Sequence, residues 1–357
     1  MPVQQRPGRP RRPLTLPALV AELRRVSVDP EASPVIRDQA AVRLARLADA
    51  LDDDGRPLVT SARPESWWGM RPISQSAQPV VAPGDRVRLS GSQLAGVLAC
   101  PRQWFLSRQA HGEGARSTAA SFGSVVHVLA DHSARTGADL DDLTDHLDSV
   151  WRQLDFDANW LSAVERVEAE SALERFVTWQ QARTEFELLG TEVSFSCIVD
   201  LGAESIQLTG SADRVERDPD GRIRIVDFKT SKTAPTAADV ALHDQLGVYQ
   251  LAVQQGAFAA VAGQGARPAG AELVYLRQSD GASSYPKVFQ QPSLDDVPHP
   301  MSFGSEDDAP NWVHRRLTEA ATVIRSERHD ARVGPACRYC PFRGSCPAQA
   351  TGQQVVR

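Results

Sequence analysis

The sequence predicts an α/β fold, in which a mixed β-sheet core is flanked by helices and preceded by an α-helical N-terminal segment. Between residues 90 and 187 the apolar residues recur with the period of amphipathic helices, and from residue 193 the period changes to two, as in half-buried strands. A strand, helix, strand order follows over residues 222–276. That order requires a parallel pair joined by a right-handed crossover, so the sheet contains both strand orientations.

The composition is that of an ordinary globular protein. The chain has 357 residues, of which 39 are basic and 45 acidic, giving a net charge of -6. Its length corresponds to about two domains. No apolar run approaches the roughly 18 residues of a membrane span, and the stretch 14–20 is too short for a secretion signal. We therefore expect a cytoplasmic protein that makes no membrane contact.

Three segments are predicted along the chain. Residues 1–13 hold four arginines and four prolines without apolar periodicity, which indicates a basic disordered arm. Residues 14–84 form a helical linker segment, in which one helix begins near Leu16 and a second near Asp29. Residues 85–357 form one larger domain that contains the sheet.

The larger domain is predicted to alternate between helical and extended segments. Its helices are expected from the Ser90–Gln93 capping box onward and at 122–130, 140–154, 160–187, 237–254 and from Trp312 towards Cys337. Its strands are expected at 193–199, 205–217, 222–230 and 273–276. Residues 278–310 are expected to form a polar loop.

The chemistry is concentrated in a predicted hairpin whose turn is Asp218-Pro219-Asp220-Gly221. Strand alternation places Asp227 and Lys229 on one face. A two-residue loop puts Asp213 opposite Val226, whereas one bulge puts it opposite Asp227, and both registers bring the carboxylates within about 5 to 8 Å. Like charges at this spacing favour a cation between them, and carboxylate oxygens suit Mg²⁺ or Mn²⁺. A solvated surface ion pair is the alternative interpretation.

Four motifs resemble the RecB-type nucleases of the PD-(D/E)XK superfamily over roughly residues 90–347. They are Gly123-Ser124-Val125-Val126-His127, Gly210-Ser211-Ala212-Asp213-Arg214, Asp227-Phe228-Lys229-Thr230 and Gln245-Leu246-Gly247-Val248-Tyr249. The resemblance implies a restriction-endonuclease-like core and metal-dependent hydrolysis of DNA phosphodiesters. Two positions depart from the family pattern: Ser231 stands where many members have glycine, and Ala212 where arginine is frequent.

The same resemblance assigns roles to individual residues. It implies a metal site whose ligands are His127, Asp213, Asp227 and the backbone carbonyl of Phe228. It implies catalytic roles for Lys229, Gln245 and Tyr249, of which the last two line the site and contact DNA. A histidine ligand in an oxygen-rich site favours Mn²⁺ over Mg²⁺. Glu192, at the start of the first long strand, is a candidate outer carboxylate.

Three closely spaced cysteines near the C-terminus predict a second metal site. Cys337, Cys340 and Cys346 have a spacing typical of metal binding in a cytoplasmic protein. Cys100, followed by Pro101, resembles the upstream ligand of family members that carry a [4Fe-4S] cluster, which here would join the two ends of the domain. A zinc site of the same four thiolates is the alternative. Cys197 is predicted to be a buried apolar residue.

Further segments resemble the nuclease module of the AdnB subunits of actinobacterial AdnAB helicase-nucleases. They are residues 16–20, 67–69, 226–232 and 340–343. The resemblance implies an exonuclease that resects double-strand breaks during recombinational repair, beside a helicase partner. Because the sequence contains no G-x-x-x-x-G-K-[ST] loop, it predicts no motor of its own, and a truncated gene, a fragment and a stand-alone nuclease all remain open.

Two other functional interpretations compete with that one. The first is a non-catalytic DNA-binding or scaffold subunit of a helicase-nuclease complex, and the second is a stand-alone nuclease like those of CRISPR adaptation. A stripe of arginines near the cysteine cluster is a candidate phosphate contact, although a solvated helix face is the more common explanation of such a stripe. It consists of Arg325, Arg328 and Arg332.

Overall fold

The computed structural model describes residues 15–67, 76–112, 118–152, 154, 156, 159–281, 284–296 and 310–353. The chain divides into two compact units, residues 1–77 and 78–357. The predicted basic arm lies outside the described residues. None of the described helices combines the length and the hydropathy needed to cross a membrane.

The first unit is a helix pair, α1 (Leu16–Ser27) and α2 (Pro34–Asp49), followed by short 3-10 turns. Its small core consists of Val20, Leu23, Ala40, Leu44, Val59 and Ala62. The second helix was expected to start near Asp29, but the Asp29 carboxylate instead accepts a hydrogen bond in a turn, from the amide of Glu31. The Ser33 side chain provides the N-cap, so α2 starts at residue 34.

The second unit contains nine described helices and six strands. The helices are α3 (Gly91–Ala99), α4 (Pro101–Arg108), α5 (Thr118–Thr136), α6 (Leu140–Trp151), α7 (Asn159–Gln181), α8 (Ala237–Ala241), α9 (Asp244–Gln254), α10 (Ala259–Ala262) and α11 (Trp312–Arg325). The strands are β1 (Val87–Leu89), β2 (Glu187–Asp200), β3 (Ser205–Arg217), β4 (Ile223–Lys229), β5 (Pro268–Ser279) and β6 (Pro286–Gln291).

The six strands form one mixed sheet between two layers of helices, which confirms the predicted fold class. β3 and β4 form the expected antiparallel hairpin, and β4 pairs with β5 in parallel. One face of the sheet packs on α3, α9 and α11, and the other packs on α5, α6 and α7. The hairpin has the bulged register, because Arg214 pairs with Val226. The next position along β3, Asp213, is therefore opposite Asp227.

The sheet has a gap along one edge of β3. β1 pairs in parallel with residues 206–208 of that edge, and β4 pairs antiparallel with residues 214–217. The two strands therefore point their carboxyl ends at each other, and residues 209–213 of β3 lie between those ends. Side chains that follow β1 and β4 converge at this gap, which makes it the natural place for a site.

Three sequence-based expectations about elements were wrong. The predicted loop 278–310 contains β6, a six-residue edge strand with too little apolar alternation to be recognised. The predicted helix 237–254 is two helices, α8 and α9, because residue 242 leaves the helical conformation. The last helix ends at Arg325 and does not approach Cys337, because Glu327 adopts a positive φ of 54°.

Candidate active site

The four sequence motifs meet at the gap in the sheet. α5 contributes His127, β3 contributes Asp213, the end of β4 contributes Asp227 and Lys229, and the first turns of α9 contribute Gln245 and Tyr249. Each side chain is connected to at least one other of the set by a hydrogen bond or an ion pair. The structure therefore brings these six sequence-predicted residues together, and their catalytic and metal-binding roles stay predictions.

Asp227 is the buried centre of this set, with 2% of its surface exposed. Its Oδ1 accepts hydrogen bonds from Gln245 Nε2 at 2.8 Å and from the Tyr249 hydroxyl at 3.2 Å. Its Oδ2 lies 2.7 Å from Lys229 Nζ, which also donates to Gln245 Oε1 at 2.9 Å. Gln245 thus bridges the carboxylate and the ammonium group, and its two amide atoms fix the orientation of both.

Asp213 lies on β3 one residue beyond Arg214, the last residue of that strand that pairs with β4. Its Oδ2 accepts a hydrogen bond of 2.7 Å from the amide of Phe228, and it lies 3.4 Å from Nδ1 of His127. The Phe228 amide therefore holds the carboxylate at the gap. The role predicted for the Phe228 carbonyl as a metal ligand stays a prediction.

Glu192 lies closer to the metal-binding groups than the sequence indicated. Among the described residues, one set of three potential ligands has its ligand atoms within 4.8 Å of one another, and it consists of His127, Glu192 and Asp213. Glu192 also accepts a hydrogen bond from the Ser211 hydroxyl at 3.3 Å. The carboxylate of Asp227 is outside this set, and its oxygens contact Lys229, Gln245 and Tyr249.

The backbone of β2 is distorted where Glu192 enters the site. Glu192 has a φ of +47°, a left-handed conformation that is unfavourable for a side chain with a Cβ atom. Thr191 hydrogen bonds to Asp131 on α5, whereas Val193 packs on the opposite core. Alternate residues of a regular strand would share a face, so the strand changes face at Glu192. Strain of this kind is typical of functional positions.

Two glycines allow the helices to approach the site closely. A Cβ atom at Gly123 would lie 2.9 Å from the Thr230 hydroxyl, so α5 could not pack this near the end of β4 with a larger residue. A Cβ atom at Gly91 would lie 2.7 Å from the Cα of Gln245. The first turns of α3 and α9 are therefore in direct contact beside the site.

The concentration of charge changes the pKa of several groups. Burial is the main reason that the pKa of Asp227 is raised, with Asp213 adding to it, while Lys229 acts in the opposite direction. Burial also raises the pKa of Glu192, reinforced by the charge of Asp213. The pKa of His127 would fall on burial, but the hydrogen bond and charge of Asp213 outweigh that effect and raise it. Excess negative charge at a partly buried point favours a bound cation.

A neutral histidine lies behind the lysine. His243 forms the N-cap position of α9, and burial together with the charge of Lys229 lowers its pKa to about 4. The side chain is therefore uncharged at neutral pH. No sequence pattern points to this residue, because a single histidine outside the motifs has no distinguishing spacing.

The cysteines lie where two parts of the chain approach each other. Cys100 separates α3 from α4, and the segment after α11 packs on α4 through a stacking contact between His329 and Phe105, with ring centroids 4.4 Å apart. The amide of Arg102 donates to the carbonyl of Asp330 at 3.3 Å. This contact brings the C-terminal cysteine segment towards Cys100.

The cysteine sulfurs are not gathered as one zinc ion would gather them. Four thiolates on one zinc lie about 3.8 Å apart, given Zn–S bonds of about 2.3 Å. Among the described residues no three cysteine sulfurs lie within 4.8 Å of one another. Ligands of a multinuclear cluster bind different iron atoms and are spaced more widely. Cys197 is partly buried on the core face of β2, and burial raises its pKa to about 11, as expected for an unreactive thiol.

Two of the three arginines proposed as phosphate contacts have structural partners. Arg325 hydrogen bonds to Glu204 and to three backbone carbonyls in residues 81–85. Arg332 donates to the carbonyl of Leu98 at 2.9 Å. These contacts attach the end of α11 to β1 and α3, so the charges are partly used within the protein. The role of Arg328 stays a prediction.

The chain belongs to the PD-(D/E)XK nuclease superfamily, because the profile of that superfamily matches residues 88–347. Membership implies a metal-dependent nuclease that hydrolyses DNA phosphodiester bonds with Mg²⁺ or Mn²⁺. No curated protein matches the chain. One similar solved structure is titled "Crystal structure of SSO0001"; it has 15% sequence identity and a TM-score of 0.33, and the match covers 75% of this chain and 89% of that one.

The residues present fit a divalent metal ion. Two carboxylates and one imidazole converge within the distance that a single ion spans, and the set mixes oxygen and nitrogen donors as Mn²⁺ accepts. Asp227 lies opposite Asp213 across the hairpin and completes the acidic surroundings. Lys229 is a half-buried cation at the mouth, with 28% of its side chain accessible.

Proposed function

We propose that this protein is a RecB-type DNA exonuclease that hydrolyses one strand from a DNA end. The observation that carries the proposal is the arrangement of Asp213, Asp227, Lys229 and the Gln245–Tyr249 pair at the gap in the sheet. His127, Glu192 and Asp213 would hold the ion, with Asp227 as a further ligand once its oxygens are partly released. A bound divalent ion supplies Lewis-acid polarisation of the phosphoryl oxygen and lowers the pKa of a coordinated water.

The residues of the chain supply the remaining functions. The Lys229 ammonium group is a compact charge that can donate a hydrogen bond to a phosphoryl oxygen as negative charge develops there. Gln245 keeps that group beside the Asp227 carboxylate and prevents it from turning into solvent. The Tyr249 hydroxyl hydrogen bonds to Asp227 on β4 and to the carbonyl of Ser211 on β3, so it links the two strands at the gap.

The direct experiment is a digestion assay. Purified protein with Mn²⁺ is incubated with end-labelled linear single-stranded and double-stranded DNA and with a closed circle. We expect the linear substrates to be degraded from an end and the circle to resist. Asp227→Ala should abolish cleavage, and Glu187→Ala, on an exposed part of β2, should cleave as wild type. Intact linear DNA, or full activity of Asp227→Ala, would overturn the proposal.

We further propose that the nuclease acts in double-strand break resection beside a helicase subunit of the AdnAB type. The support is the sequence resemblance outside the motifs and the lack of a nucleotide-binding loop in this sequence. A helicase partner should convert slow digestion of duplex ends into fast, ATP-dependent digestion. If added helicase leaves the rate unchanged, this part of the proposal fails and the nuclease assignment stands.

A [4Fe-4S] cluster on Cys100, Cys337, Cys340 and Cys346 is proposed as a structural clamp. The support is the contact of residues 329 and 330 with α4, which brings the two cysteine segments together, and the resemblance of Cys100 to the upstream ligand of cluster-carrying family members. Anaerobically purified protein should be brown and contain about four irons per chain. Colourless protein with one zinc per chain would favour the zinc alternative.

A further inference from the structure

A polar cleft of about 770 Å³ lies at the β1 edge of the sheet, away from the metal-binding groups. Its walls are the segment 80–85 with β1, the end of α4 and the start of β3. The side chains that line it include Arg86, Arg88, Gln109, Ser205 and Gln207. The lining is dominated by hydrogen-bonding groups, so the cleft suits a polar or charged ligand.

The charges that line the cleft favour an anion. Arg88 is exposed and has no hydrogen bond or ion pair to any described residue. Arg86 donates to the Ser205 hydroxyl at 3.2 Å and forms no ion pair with a carboxylate in the part of the chain that the structure describes. Asp85 is the single carboxylate of the lining, and the nearby Glu204 is paired with Arg325. Two guanidinium groups, each able to hold an oxyanion in bidentate geometry, therefore outnumber the negative charge.

The cleft is continuous with the active site along β2 and β3. Arg88 pairs with Gln207, and the following cross-strand pairs on the same face are Gln207–Ile198, Thr209–Ser196 and Ser211–Ser194. The next position of this row is Asp213 beside Glu192. The hydrogen bond from the Ser211 hydroxyl to Glu192 shows that the row and the metal-binding groups share a face.

The side chains of this row are uncharged and accessible. Ser194, Ser196 and Ile198 are exposed, and Gln207, Thr209 and Ser211 are half-buried. Between Arg88 and Glu192 the row contains no carboxylate that would repel an anion. Six residues of strand separate Gln207 from Asp213, which is about 20 Å at 3.3 Å per residue. A single DNA strand lying along the row would therefore place several phosphates between the cleft and the active site.

We propose that Arg86 and Arg88 form a remote phosphate-binding site for the DNA strand being cleaved, about 20 Å of strand away from the bond that is hydrolysed. The neutral row on β2 and β3 carries the sugar-phosphate backbone between the two sites. Because the contacts are to phosphates, binding is independent of base sequence. The inference rests on the proposed function, since it takes the strand that enters the active site as its ligand.

The experiment measures binding of single-stranded oligonucleotides of 4 and 16 nucleotides in metal-free buffer, where no hydrolysis occurs. The double variant Arg86→Gln, Arg88→Gln should bind the 16-mer about tenfold more weakly than wild type, as expected for the loss of charge-assisted hydrogen bonds. Its affinity for the 4-mer should be unchanged. The slope of log affinity against log salt for the 16-mer should fall by about 1.4, which is two phosphate contacts on a single strand.

The matched control removes two arginines elsewhere on the same unit. Arg222 and Arg267 lie at the turn end of β4 and the start of β5, and both pair with exposed aspartates. Arg222→Gln, Arg267→Gln should bind both oligonucleotides as wild type does. Equal weakening by the two double variants would show a general charge effect and overturn the proposal.

Failure of the remote site and failure of the nuclease assignment are distinguishable. If the cleft variant binds the 16-mer as wild type does while wild type digests DNA with Mn²⁺, the remote site is wrong and the nuclease assignment stands. If the length-dependent loss is observed but no DNA is digested, the cleft is a DNA site in a protein without the proposed activity.

Discussion

Substitution of Glu192 by glutamine tests the metal site that the geometry defines. The change removes one negative charge, keeps the size of the side chain and retains an acceptor for the Ser211 hydroxyl. If Glu192 is a ligand, the affinity for Mn²⁺ should fall about 100-fold. Loss of a residue that only hydrogen bonds to a metal ligand already weakens metal binding by up to about 100-fold. The pKa of Glu192 is raised, so its ionised form destabilises the metal-free fold at neutral pH, and the variant should be at least as stable as wild type without metal.

The size of the effect follows from binding linkage. At a Mn²⁺ concentration 100 times the wild-type Kd, the ion stabilises the folded state by about 2.7 kcal/mol. Unfolding of residues 78–357 has an entropy of about 0.6 kcal/mol/K, at about 2.1 cal/mol/K per residue. The Tm of wild type should therefore rise by about 5 °C. A 100-fold weaker site gains about 0.4 kcal/mol at the same concentration, so the Tm of the variant should rise by about 1 °C.

The assay is differential scanning fluorimetry with and without Mn²⁺, supported by titration calorimetry. Glu187→Gln is the matched control, because Glu187 is on the same strand and pairs with Arg217 at the surface. It should show the wild-type shift. A Mn²⁺-induced shift of the Glu192→Gln variant equal to that of wild type would refute the ligand role and return the site to the set His127, Asp213 and Asp227.

Three further predictions concern packing, buried charge and pH. Gly247→Ala should destabilise the protein by about 1 to 3 kcal/mol in urea denaturation, because the new Cβ would lie 2.5 Å from the Trp312 ring; an unchanged midpoint would contradict the packing. Glu272→Gln should cost about 3 to 5 kcal/mol, since Glu272 is fully buried and pairs with Arg183 and Arg224; a loss below 1 kcal/mol would contradict its role. His243 has a pKa lowered to about 4, so its stabilising effect is complete above about pH 6.5 and is lost as the pH falls towards 4. From pH 7.5 to 5, wild type should lose about 2 kcal/mol more than His243→Gln, and equal losses would show that His243 is not buried as neutral imidazole.

The catalytic hairpin was predictable because its determinants are local. A Pro-Asp turn fixes the pairing of two alternating strands, so the sequence limits Asp213 to two partners, and the bulged register is one of them. The helical spacing of Gln245 and Tyr249 is likewise a local property. These features depend on backbone period alone, which the residue pattern encodes.

The position of Glu192 was not predictable in the same way. Glu192 lies beside His127 and Asp213 because its backbone is left-handed. Glycine and asparagine adopt that conformation readily, but glutamate does not, so the residue type gives no indication of it. That conformation is held by contacts from α5, which is about 60 residues away in sequence, through the Thr191–Asp131 hydrogen bond. A pattern within the strand contains no information on such a contact, so the sequence indicated only an outer carboxylate.

A buried network of ion pairs fixes the strand that carries Asp213 at the gap in the sheet. Glu216 on β3 and Glu272 on β5, the strands on either side of β4, are fully buried and are neutralised by Arg183, Arg214 and Arg224. Arg214 directly follows Asp213, and its guanidinium group donates to Glu216 at 2.6 Å and to Gln180 on α7 at 3.1 Å, so its side chain is fixed on the face that packs on α7. This anchor fixes the backbone of β3 immediately after Asp213. The network therefore positions Asp213 without contacting it, and its loss should displace the metal-binding group before it unfolds the sheet.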